Sequence, residues 1–110
     1  MTQKAKLEPL RSLAFGSISG TYAEVGTSFA NPISLICITN NTAGDMLLST
    51  DAVDDHLFIA AGSFKLFDIA TNARRVNTDD FVFPVGTQFY VKQLTAPTSG
   101  SVYIEVLYAA

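Results

Sequence analysis

The sequence predicts an all-β chain: a single compact antiparallel β-sandwich or jelly-roll-like barrel with an N-terminal extended arm. Three observations carry this. Short β-branched and aromatic runs recur roughly every ten residues, separated by Gly, Pro, Asn and Asp turn signals, the rhythm of sandwiches and barrels. Helical periodicity is nearly absent, and the first candidate, residues 5–13, is interrupted by Pro9. The composition is 48% hydrophobic and 15% charged, too apolar for a disordered chain and too charge-poor for a coiled coil. At 110 residues there is room for one domain and not two. The division is an arm over 1–11 and a sandwich over 12–110.

Along the chain, residues 12–19 and 21–25 read as two short strands separated by Gly20, and Asn31-Pro32 marks a turn. Residues 33–39 are apolar at nearly every position, the signature of a strand buried on both faces. Asn40 through Asp45 form a turn cluster, because Asn, Asp and Gly tolerate positive φ. Residues 46–50 and 56–60 are strands flanking an acidic loop with Asp51, Asp54 and Asp55. Ala61-Gly62-Ser63 then turns the chain into residues 64–69. There Phe64, Leu66 and Asp68 share one face and Lys65, Phe67 and Ile69 the other. Neither face is cleanly polar, which suits an edge strand or one covered by a neighbouring subunit. Residues 70–80, with Arg74 and Arg75, read as a polar loop with room for one helical turn. Pro84-Val85-Gly86 turns into a half-buried strand over 87–94, and Pro97 to Gly100 turns into a final strand over 101–108. These last two strands are expected to pair as a hairpin. Ile36, Ile38, Phe89, Val91, Ile104 and Val106 are expected in the core.

The residue chemistry argues against an enzyme. Cys37 is the only cysteine, so no internal disulfide forms, and its apolar setting lacks the base a nucleophilic thiol needs. One histidine, His56, limits any Ser-His-Asp arrangement to that residue. Gly16-Ser17-Ile18-Ser19-Gly20 has the wrong register for a nucleophile elbow. Asp51, Asp54, Asp55 and His56 are metal-ligating types, but they lack the spacing of a dedicated calcium or zinc site and read as a solvated loop. No cofactor is expected. No phosphate loop or dinucleotide fingerprint is present. Asn40-Asn41-Thr42 matches a glycosylation sequon. Tyr90, Tyr103 and Tyr108 are candidates for a sugar-stacking platform, weakened by the absence of Trp. The basic start lacks an apolar core behind it, so no cleaved secretory signal is expected. No apolar run is long enough to span a bilayer, and no membrane partner is expected.

Charge is unevenly placed. Residues 1–11 hold Lys4, Lys6 and Arg11 against Glu8, a local +2, leaving −5 on the rest. An acidic body is a poor binder of phosphate, so no nucleic-acid partner is expected. The arm carries Leu7 and Leu10 as its apolar anchors. Too little surface is buried there to offset an ordering cost of ~1–2 kcal/mol per residue. It is therefore expected to be mobile in an isolated subunit. In an assembly, Lys4, Lys6, Leu7, Leu10 and Arg11 form the partner-binding set, the leucines in a neighbour's groove and the bases facing acidic surface.

The run Ser63-Phe64-Lys65-Leu66-Phe67-Asp68, then residues 84–92 and 97–104, together with the Asn40-Asn41-Thr42 strand start and the loop carrying Asp51 and Asp54, resembles small all-β virion proteins of tailed bacteriophages. The resemblance covers residues 12–108 and is one of style and strand order. It implies a non-enzymatic structural protein that binds and reinforces the capsid as a decoration or cement protein. A collar or adaptor protein at the head–tail junction is the alternative it implies. Partners would be the major capsid protein, or portal and neck proteins, and copies of the chain itself, within a virion assembled in the host bacterial cytoplasm. From the residues alone, a ligand- or sugar-binding sandwich is the second reading and a small hydrolase centred on His56 the third.

Overall fold

The computed structural model describes residues 5–68 and 83–109. Expectations for Lys4, Ile69, the 70–80 loop with Arg74 and Arg75, Phe81 and Val82 lie outside these residues. Nine strands are described: β1 (Ala5–Leu7), β2 (Arg11–Ala14), β3 (Ala23–Glu24), β4 (Leu35–Thr42), β5 (Met46–Ser49), β6 (Leu57–Ile59), β7 (Phe64–Asp68), β8 (Tyr90–Gln93) and β9 (Gly100–Ala109). One sheet runs β1-β9-β4-β7 with β2 also on β9, and the other runs β3-β8-β5-β6. All pairings are antiparallel. The protein is a β-sandwich, as the turn spacing predicts, with no α-helix among the described residues.

The core lies between the sheets. Ile36 and Ile38 of β4, with Val102, Ile104 and Val106 of β9, meet Met46 and Leu48 of β5, Ile59 of β6 and Val91 of β8. Phe89 lies 5.9 Å from the Phe29 ring and 6.0 Å from the Phe83 ring, in tilted aromatic contacts. All six residues expected in the core are buried.

Four local expectations are corrected. The strand expected over 12–19 ends at Ala14, and a 3-10 turn over Phe15–Ser17 follows. β4 continues through the expected turn at Asn40 to Thr42. Asn40 is fully buried there, because its amide donates to Gly44 O (2.9 Å) and Ile59 O (3.0 Å) and its carbonyl accepts from Thr42 N (3.2 Å) and Thr42 Oγ1 (2.6 Å). A saturated side-chain amide makes a turn-former tolerable in a core strand and ties the two sheets together. The same burial removes Asn40 as a glycosylation acceptor in the folded chain. The expected final hairpin does not form, since β8 pairs with β3 and β5 while β9 pairs with β4 in the other sheet. The loop between them crosses the sandwich and enters β9 at Gly100 (φ +87°), where a Cβ would overlap the Asn41 carbonyl oxygen.

The fourth correction concerns the arm. Ala5–Leu7 and Arg11–Ala14 both lie along β9. Leu7 is opposite Leu107 and Arg11 is opposite Ile104, so Glu8, Pro9 and Leu10 face only Glu105 and Val106. This is a one-residue bulge, which places Pro9, lacking an N–H, where the ladder is already interrupted. Residues 5–11 lie along β9 as strand and bulge, where an arm separate from the sandwich was expected.

Candidate interaction surfaces

The inner clasp of the arm explains its order. Glu8 Oε1 and Arg11 Nη2 lie 2.7 Å apart with both side chains buried. Arg11 also donates to Thr27 O (2.6 Å) and Ser28 O (3.1 Å) and lies over the Phe29 ring at 5.0 Å. Glu8 Oε2 accepts from Ala30 N (3.2 Å) and Asn31 Nδ2 (2.7 Å). Burial works to raise the Glu8 carboxyl. The bonds from Arg11, Asn31 and Ala30, with the Arg11 charge, outweigh it and hold the group below its ordinary value. Arg11 is therefore corrected from an outward partner contact to a buried internal one, its guanidinium spent on Glu8 and the 27–28 carbonyls. Lys6, Leu7 and Leu10 remain outside, the leucines 72% and 58% exposed.

Register places the outward residues of the larger sheet in rows. Asp68, Leu35, Leu107 and Leu7 form one; Leu66, Cys37 and Glu105 the next; Phe64, Thr39, Tyr103 and Ser12 a third. Phe64 is 64% and Leu66 55% exposed, while Leu35, Cys37 and Leu107 are half-buried. β7 is an edge strand among the described strands, in keeping with its two-faced sequence. β4 was expected to be buried on both faces; only its inner face is buried, with Ile36, Ile38 and Asn40. The continuous apolar run instead supplies an apolar outer face with nothing packed over it among the described residues.

The acidic loop is held by its own bonds. Asp51 Oδ1 accepts from Val53 N (2.8 Å), Asp54 N (2.9 Å) and Ser49 Oγ (2.8 Å). The backbone N–H of Asp54, then that of Val53, then the Ser49 hydroxyl bring the Asp51 pKa down to about 2. His56 Nδ1 accepts from Thr50 N (3.1 Å), and its Nε2 lies 3.9 Å from Asp51 Oδ2. The ring thus braces the loop, and no serine or cysteine hydrogen-bonds to it among the described residues. Asp51, Asp54 and His56 offer ligand atoms within 4.8 Å of one another, all exposed. Asp55 bonds the Tyr22 hydroxyl and pairs with Lys92 at 3.2 Å, and these lower its carboxyl. Beside this loop opens an apolar pocket of about 250 Å³ lined by Thr50, His56, Leu57, Phe67, Phe83 and Phe89.

The three tyrosines do not converge. Tyr90 faces outward on the smaller sheet, Tyr103 faces outward on the larger, and Tyr108 packs against the core. The sugar-stacking platform is not built. Neither the outer apolar face nor the pocket was found by motif reasoning. The signal for the face was the unbroken apolar run of β4 beside two-faced β7.

No family model matches the sequence, and no curated protein is significantly similar to it. Among solved structures, the chain is similar to one in the cyanophage Pam1 capsid asymmetric unit, with TM-score 0.56 and 15% identity over 97% of this chain and 85% of that one. It is also similar to a pilus protein of Bacillus endospore appendages, with TM-score 0.50 and 10% identity over 98% and 90% of the two chains. A third likeness is to the Dit hub protein of phage SPP1, with TM-score 0.42 and 11% identity over 94% of this chain and 49% of that one. At these identities the likeness is one of fold.

Proposed function

We propose that the chain is a non-enzymatic structural protein of a tailed-phage virion that binds and reinforces the capsid as a decoration protein. The observation that carries this reading is the outer face of the larger sheet, where Phe64, Leu66, Leu35, Cys37 and Leu107 form an apolar patch beside Glu105 and Asp68. A strand whose sequence is written for burial on both sides, but whose outer side chains stay half-exposed among the described residues, calls for a protein surface to cover it. The fold likeness to a phage capsid chain across almost the whole length supports a virion setting for that cover. Binding would follow from burial of this face, repeated at each symmetric position, with no catalysis and no cofactor. The partners are the major capsid protein and further copies of the chain.

A collar or adaptor role at the head–tail junction uses the same face against portal or neck proteins. The test is co-expression with the major capsid, portal and neck proteins encoded beside its gene, followed by sedimentation of the assembled heads. The chain is expected to pellet with heads, and electron microscopy of labelled particles separates shell from neck. A chain left in the supernatant while heads and necks assemble overturns the reading.

A further inference from the structure

We propose that the outward leucines of the N-terminal segment, Leu7 and Leu10, of one copy dock in the phenylalanine pocket of a second copy, with Lys6 over that copy's acidic loop. The pocket is apolar, bounded by Phe67, Phe83, Phe89 and Leu57, and its volume of about 250 Å³ far exceeds the ~30 Å³ share of a single water. Its rim, Thr50 and His56, opens the acidic loop that carries Asp51 and Asp54. The N-terminal segment presents the matching pattern: two exposed leucines three positions apart beside Lys6, which has no ion-pair partner among the described residues. Apolar groups thus meet apolar groups while base meets acid.

A second copy supplies the leucines because, among the described residues, the N-terminal segment of the same copy is held away from the pocket. β1 lies at one edge of the larger sheet and β7, which contributes Phe67, at the other. Three strand spacings, ~14 Å, separate them, and the Glu8–Arg11 clasp pins the segment to β9. Made in both directions at once, the contact closes a two-fold pair; made head to tail, it closes a ring or extends as a chain of subunits. This rests on the virion reading only for its setting and uses a surface separate from most of the capsid-facing sheet.

The probe is a synthetic peptide of residues 1–10, titrated to ~1 mM into dilute isotope-labelled full-length protein and followed by NMR. The expected result is progressive shifts at Thr50, His56, Leu57, Phe67, Phe83 and Phe89, and none with a peptide carrying Leu7→Asp and Leu10→Asp. A Lys6→Glu peptide is expected to bind about threefold more weakly, and Asp54→Lys in the protein to restore it. No shift at the pocket, or shifts centred on Leu35, Cys37 and Leu66, overturns the proposal. The experiment contains no capsid, so its failure leaves particle binding, read by sedimentation, standing or falling separately.

Discussion

Glu8 and Arg11 show how a segment of low apparent ordering power is tied down: a buried ion pair, hydrogen-bonded on both sides, adds to the backbone pairing with β9. Glu8→Gln leaves the Arg11 charge buried against a neutral group and is expected to cost about 3 kcal/mol at neutral pH. Because the folded carboxyl is held below its ordinary value, its contribution is complete above the ordinary carboxylate range. It is lost as pH falls through the folded value. The gap between wild type and Glu8→Gln should therefore narrow as pH falls below the ordinary carboxylate range in urea denaturation. A gap that holds constant would remove the linkage. Asn40→Ala takes the amide from the Ile59 carbonyl, leaves Gly44 O to Thr42 Oγ1 (2.9 Å), and is expected to cost about 2 kcal/mol in the same assay. A cost near zero would show that water replaces the amide.

Among the elements, β1 and the bulge differ in what they hold. The side chains of Ala5, Lys6 and Leu7 are all exposed, so removing residues 1–7 takes away backbone pairing and little packing. The domain is expected to stay folded with a small change in Tm. Removing residues 1–10 also takes Glu8, leaving Arg11, Ala30 N and the Asn31 amide without their carboxylate. That deletion should lower Tm far more than the shorter one, by thermal scanning of both. Equal effects would mean the clasp contributes nothing. At the start of β9, Gly100→Ala puts a Cβ against the Asn41 carbonyl in a left-handed conformation and is expected to cost at least ~2 kcal/mol.

For the whole molecule, the decisive property is a sandwich whose larger sheet presents exposed apolar side chains, Phe64 and Leu66, among the described residues. Phe64→Asp with Leu66→Asp alters only exposed side chains, so Tm should change little while sedimentation with heads falls by tenfold or more, ~1.4 kcal/mol. Unchanged pelleting would move the contact elsewhere. Chelation is expected to leave that binding intact, because Asp51, Asp54 and His56 lack the spacing of a dedicated site and the loop's own hydrogen bonds hold Asp51. Loss in EDTA restored by calcium would assign the acidic loop a working ion.

The sequence by itself determined the all-β class, the alternation of β8 and β9, and the six core positions, because a period of two and turn chemistry are local properties. It also made β7 legible as an edge strand. Sheet membership was decided only in three dimensions: β8 and β9 are adjacent in the chain, yet their partners lie in opposite sheets, and no local signal encodes that choice. The same holds for Asn40 and Arg11. Each reads locally as a surface residue, and each is buried because partners distant in sequence, Ile59 for one and Thr27 with Ser28 for the other, satisfy its polar atoms. The outer face of β4 stands between the two cases. Its apolarity was written in the sequence, but whether that apolarity meant a buried strand or a bare one depended on what packs against it, which is a property of the tertiary structure alone.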